Sequence, residues 1–190
     1  MVDDGSYTAA MDILVTVQVS NPQRGMLSWP APDGQRMIPC ALGRAGLSEN
    51  KREGDGATPI GRFPLRRVLY RADRVTLPRL SLPAAAIEPG DGWCDDPTSS
   101  DYNRQVHLPI AASHEHLWRL DSLYDIVVVL GHNDGPVVAG AGSAIFLHVA
   151  SADYRPTEGC VAVARDELLA LLAACQPGDS LAISPARPNP

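Results

Sequence analysis

The chain has 190 residues and a mass of 20.3 kDa, with 45% hydrophobic side chains, 20% charged ones and a formal net charge of −6. That length can bury a full core without disulfides or metal staples, and the aliphatic content excludes disorder. The acidic balance excludes a dedicated nucleic-acid binder, and no segment reaches the ~20 apolar residues of a membrane-inserted helix.

Met1–Ala10 is polar and acidic and lacks the positive start and apolar run of a secretory signal. We read residues 1–10 as a flexible segment before a single domain over 11–185. Val15–Val19 alternates apolar and polar and predicts a strand. Pro22, Gly25 and the Pro30–Gly34 stretch mark turns, and Met37–Leu42 reads as a second strand. Lys51–Gly56 is a charged, Gly-rich loop leading into Thr58-Pro59. Arg62–Tyr70 follows as a strand that Pro64 would bend or place at an edge. Asp73–Pro109, rich in Pro, Gly, Asp and Ser, predicts long loops with little regular structure, a length that suits an active-site wall. Asp125–Leu130 and Ala144–Val149 are buried strands around a Gly131–Gly142 connection. A helix capped by Asp166 runs to about Cys175, with Leu168, Leu169, Leu171 and Leu172 on one face, before Pro177-Gly178 and a last strand at Ser180–Ile183. The balance is mainly β, a sandwich or partly closed barrel with one or two short helices.

The four cysteines, Cys40, Cys94, Cys160 and Cys175, form no CxxC pair, so zinc spacing is absent. His114 and His116 flank Glu115 on one strand face without a third ligand, and no metal or other cofactor is expected. The informative segment runs from Ile145 to Cys160. It delivers His148 on a strand, follows it with eleven intervening residues, and returns with Thr157-Glu158-Gly159-Cys160 before an apolar stretch. A cysteine is a nucleophile as its thiolate, and a nearby imidazole can take its proton. Gly159 permits close backbone approach, and amides at Gly159 and Cys160 could face a developing oxyanion. Taken alone, this pattern is balanced by the plain reading of a core cysteine beside a hydrogen-bonded core histidine.

Six segments in order carry a resemblance: Lys51–Gly61, Gly92–Pro97, Tyr102–Arg104, Gly131–Asp134, Gly140–His148 and Pro156–Val161. With them the chain resembles the YkuD-type L,D-transpeptidases from about Ala41 to Ile183. The resemblance implies a β-rich catalytic domain in which Cys160 is the nucleophile and His148 its base. The carbonyl of Val149 or Ala150 would orient the imidazole, and amides around Thr157, Gly159 and Cys160 would hold the oxyanion. It implies peptidoglycan stem peptides as donor and acceptor, a thioester intermediate, acylation by carbapenems and a place in the cell envelope, specifically the periplasm. The chain departs from the common Ser-His-Gly-Cys pattern and from the arginine two residues beyond it, having Thr157, Glu158 and Ala162 at those positions. The His-to-Cys interval is also shorter. A cross-link at unusual stem positions, such as 1-3 rather than 3-3, is therefore open. Tyr154, Arg155, Asn133, Tyr102 and Asn103 are candidate substrate contacts. The arginines Arg62, Arg66, Arg67, Arg71, Arg74 and Arg79 could hold stem carboxylates or glycan, but a solvated strand face is the favoured reading. A monomer is expected. The competing functions are an L,D-carboxypeptidase or D-amino-acid exchange enzyme, a non-catalytic wall-binding module, and a thiol redox protein.

Overall fold

The computed structural model describes residues 10–18 and 20–185. The Met1–Ala9 part of the N-terminal segment, and Val19 at the end of the first predicted strand, lie outside the described residues. The chain enters β1 (Asp12–Gln18), which turns into a long hairpin of β2 (Asn21–Ala31) and β3 (Gly34–Ala41). This corrects two expectations. The first strand begins earlier than the alternation suggests, and Pro22, Gly25 and Pro30, read as turn markers, lie inside β2. Proline is tolerated at Pro30 because that end of β2 pairs only with β3, through Pro30↔Gln35, beyond the last β1 partner Ser28. The turn itself is confined to Pro32-Asp33 between Ala31 and Gly34.

The short β4 (Leu47–Ser48) and β5 (Thr58–Pro59) bracket the Gly-rich loop, and β6 (Gly61–Tyr70) follows with Pro64 inside it. The next stretch is not structureless. It holds β7 (Ala84–Ala86) and then a three-stranded sheet of β8 (Asp91–Cys94), β9 (Arg104–His107) and β10 (His114–His116). These strands are three or four residues long, too short for alternation to stand out against the surrounding Pro and Gly. The chain closes with β11 (Ile126–Leu130), β12 (Phe146–Val149), β13 (Val161–Val163), α1 (Arg165–Ala174) and β14 (Ser180–Ser184).

Hydrogen bonds link β11, β12, β13, β3, β2, β1, β14 and β6 in that order, and β6 pairs back to β11. The predicted partial closure is therefore complete: an eight-stranded barrel with no open edge in the ring. Inside it pack Ile13, Val15, Leu27, Trp29, Leu147, Val161 and Leu181, joined by Leu168, Leu171 and Leu172 of α1. Each leucine so buried contributes about 1.5–3 kcal/mol. The helix is not capped by Asp166. Its N-cap is Ala164, without a side-chain bond, and Asp166 lies in the first turn, where its charge suits the helix dipole.

Strand periodicity builds a second core outside the ring. On β11, Ile126, Val128 and Leu130 face the interior, while Val127 and Val129 face outward. The outer cluster adds Trp93, Leu117, Tyr124, Phe146 and Cys160, so the small sheet covers the outer face of β11–β12. Both faces of β11 are covered, which is why Ile126–Leu130 reads as one unbroken apolar run.

Candidate active site

β12 and β13 run parallel with Leu147 opposite Val161 and His148 opposite Ala162. Side chains alternate, so Phe146, His148, Cys160 and Ala162 share the outer face of this pair. His148 and Cys160 line one cavity of about 510 Å³, together with Lys51, Glu115, Arg119, Tyr124, Thr157 and others. Both residues are largely buried, Cys160 at 7% and His148 at 5% exposure.

The sulfur is fixed by backbone. Its S–H donates to the Ala144 carbonyl at 3.2 Å, and the Phe146 N–H donates to Sγ at 3.4 Å. Ala144 adopts φ +52°, a conformation non-glycine residues rarely take, and its N–H is held by the Asn103 side-chain oxygen at 3.1 Å. Gly159 has φ +137°, and a Cβ there would lie 2.8 Å from the Ala57 carbonyl. Only glycine fits this position without strain. Thr157 ties the loop down, its hydroxyl donating to the Cys160 carbonyl at 2.7 Å and accepting from the Gly159 N–H at 3.1 Å.

That arrangement already engages two of the three expected oxyanion donors. The Thr157 amide donates to the Leu42 carbonyl and the Gly159 amide to the Thr157 hydroxyl. The Cys160 amide makes no hydrogen bond among the described residues. The His148 Nδ1–H donates to the Val149 carbonyl at 2.9 Å. Because a carbonyl only accepts, this fixes the proton on Nδ1 and leaves the Nε2 lone pair to take another.

Charge and burial set the resting protonation. Burial pushes the Cys160 thiol up to about 12, with the Glu115 carboxylate adding to the rise and the Phe146 N–H and Lys51 opposing it. Burial pushes the His148 imidazole down to about 4, against the pull of the Val149 and Leu123 backbone. Both shifts favour the neutral forms, a thiol and an imidazole lining one cavity. Tyr124 packs edge-on to His148 with ring centroids 5.3 Å apart and donates its hydroxyl to Glu115 at 2.6 Å. Burial and Glu115 hold the Tyr124 phenol well above its ordinary value, so it stays a donor.

The candidate substrate contacts separate. Arg155 lines the cavity, paired with Asp153. Tyr102, Asn103, Asn133 and Tyr154 do not line it. The Tyr102 hydroxyl donates to Glu53 at 2.5 Å and accepts from the Gly142 N–H. Asn103 donates to the His132 and Asn133 carbonyls, and Asn133 donates to those of Val138 and Gly142. Tyr154 stacks under the Arg24 guanidinium. The polar atoms of Tyr102, Asn103 and Asn133 are thus engaged in bracing turns around the site.

Sequence reasoning alone misses Lys51, Glu115, Arg119 and Tyr124 as cavity residues. Lys51 sits in the first of the six segments, and its ammonium, on a side chain only 7% exposed, pairs with Asp55. It lies 3.3 Å from where a Gly159 Cβ would be, a cation near the sulfur in a chain that lacks the usual arginine. Glu115 stands between His114 and His116; Tyr124 carries no local signal.

The YkuD family, described as an L,D-transpeptidase catalytic domain, matches residues 15–183. The chain belongs to this family. Among solved structures, this YkuD domain is similar to L,D-transpeptidase 1 of Mycobacterium tuberculosis, at 15% identity over 93% of this chain and 63% of that one, with a TM-score of 0.37. It is also similar to LdtMt1 in complex with imipenem (14% identity, 92% and 59% covered, TM-score 0.42). A third is L,D-transpeptidase 3 of Mycobacterium tuberculosis (14% identity, 92% and 61% covered, TM-score 0.38). The YkuD chain thus spans about three-fifths of the length of these proteins. No curated protein matches it.

Proposed function

We propose that this YkuD domain is a cysteine-dependent L,D-transpeptidase that cross-links peptidoglycan stem peptides in the cell envelope. The observation that carries the reading is the shared cavity of Cys160 and His148, with an Nδ1-protonated imidazole and a thiol anchored by the Ala144 carbonyl. In the first step Sγ attacks the carbonyl carbon at the L-centre of the donor stem, and its proton passes to His148 Nε2. The tetrahedral oxyanion faces the Cys160 amide. As it collapses, the C–N bond breaks, the terminal D-amino acid leaves with the proton from His148, and a thioester remains. An amine of a second stem then attacks the thioester, gives a proton to His148, and the sulfur leaves to recover that proton.

The choice between an amine acceptor and the water of a carboxypeptidase is read from the products made in sacculi. An intact Cys160–His148 pair stands against a non-catalytic wall-binding module. No second cysteine lines the cavity among the described residues, which stands against a redox pair.

The test is acylation by a carbapenem, read by mass spectrometry of the intact protein, together with analysis of the linkages made in purified sacculi. Wild type should gain one adduct and form new cross-links, of 3-3 or 1-3 type. Cys160→Ala should do neither while keeping its circular dichroism. Adduct formation by the mutant would place the nucleophile elsewhere.

A further inference from the structure

A second cavity of about 750 Å³ opens on the same outer face, lined by Arg66, Arg67, Arg104, Trp93 and Val129 among others. Two of its arginines, Arg66 and Arg67, are placed by an irregularity in β6. Val129 pairs with Arg67 but Leu130 pairs with Leu65, so Arg66 is an extra residue in the ladder. Such bulges re-aim side chains next to functional sites. Here the bulge lets consecutive arginines border one cavity while Leu65 returns to the barrel core.

Elsewhere in the arginine-rich stretch three guanidinium groups have carboxylate partners, and Arg71, buried against the Trp118 ring, departs from the solvated strand face expected of it. Arg62 pairs with Asp12, Arg71 with Asp73, and Arg74 with Asp125. Within the cavity, Arg66 pairs with Asp134 through two hydrogen bonds. Arg67 and Arg104 differ. Neither has a carboxylate partner among the described residues. The Arg67 guanidinium donates one Nη to Gln105 at 3.0 Å, while its Nε is buried with no acceptor. A buried cationic donor without a partner is costly to keep. Two guanidinium groups without a carboxylate partner among the described residues, beside an apolar wall, fit a ligand that brings one carboxylate and a small apolar body.

We propose that Arg67 and Arg104 form an anion subsite, separate from the Cys160 cavity, that captures the C-terminal carboxylate of a short peptide and rests its side chains on Trp93 and Val129. The planar guanidinium fork matches a carboxylate, and the cavity has room for a peptide end. The subsite does not depend on the Cys160 chemistry. The Trp93 indole N–H, which donates to Asn103 at 3.0 Å, reports on its occupancy.

The experiment titrates acetyl-dialanine into the full chain and follows the Trp93 indole N–H by NMR, assigned with Trp93→Phe. A saturable shift is expected, absent with the C-terminal amide of the same peptide. Arg67→Gln and Arg104→Gln should each weaken binding roughly tenfold or more, Arg67→Lys should weaken it by losing the fork, and Arg62→Gln should leave it unchanged. Arg104 is exposed on β9, so its variant keeps the test decisive if Arg67→Gln fails to fold. No saturable shift, equal binding of the amide, full binding by the Arg104 variant, or tighter binding of inorganic phosphate would overturn the proposal.

Discussion

At the scale of single residues, the site pairs a thiol that resists ionisation with an imidazole that resists protonation. His148→Ala should therefore slow carbapenem acylation roughly a hundred- to ten-thousand-fold at pH 7. The deficit should shrink steadily from pH 7 upward, because the thiolate fraction grows about tenfold per pH unit below the thiol value of about 12; a deficit equal at pH 7 and 10 would remove His148 from the role of base. Neighbouring charge should tune the sulfur in opposite directions. Glu115 raises the thiol and Lys51 lowers it. Iodoacetamide alkylation of Cys160 at pH 8 should accelerate in Glu115→Gln and slow in Lys51→Met, because each variant changes the thiolate fraction available to react, by a factor on the order of ten. The same sign of change in both variants would show that loop damage, not charge, controls the sulfur.

At the scale of elements, the parallel β12–β13 pair puts His148 and Cys160 on one face, and the Thr157 hydroxyl ties down the loop that ends at Cys160. Gly159→Ala would place a Cβ against the Ala57 carbonyl at a backbone angle alanine resists, a strain of order 1–3 kcal/mol. Acylation should fall while the melting temperature drops by only a few degrees, since the strain sits in the loop and not in the barrel. A rate unchanged from wild type would mean that the loop relaxes freely. Much of this is legible in the chain itself. The β11 run, the strand bearing His148, the Gly131–Gly142 connection and the leucine face of α1 all declare themselves by periodicity and punctuation. The small sheet of β8–β10 does not, because its strands are too short to repeat a pattern. The hairpin through Pro22 and Pro30 is masked by residues that usually end strands. At the site, Cys160 and His148 are readable from type and spacing. Tyr124 and Glu115 reach the cavity through tertiary folding, from a loop and a short strand with no local signature. Tyr102, Asn103 and Asn133 lie in informative segments, yet their polar atoms brace the turns that shape the site.

At the scale of the molecule, burial of His148 couples the site to stability. Its imidazole is held near 4 in the folded chain against about 6.5 unfolded. Above pH 6.5 both forms are neutral and the group is without effect. Between 6.5 and 4 the unfolded chain binds the extra proton, so stability falls as pH falls, by about 3 kcal/mol in total from this group. Urea unfolding from pH 7 to pH 4 should show that loss, and His148→Gln should reduce the slope. An identical slope in the variant would assign the acid sensitivity to other groups.

The two faces of the barrel wall give neighbouring residues different work. On β12, Leu147 and Val149 fill the interior while Phe146 and His148 serve the outer layer, and β11 divides in the same manner. Substitutions at adjacent positions along these strands therefore disturb different layers, the barrel interior at one and the outer core or the cavity at the next. A saturation library scored once for soluble yield and once for acylation should show Phe146, Leu147 and Val149 failing the first screen and His148 standing out in the second.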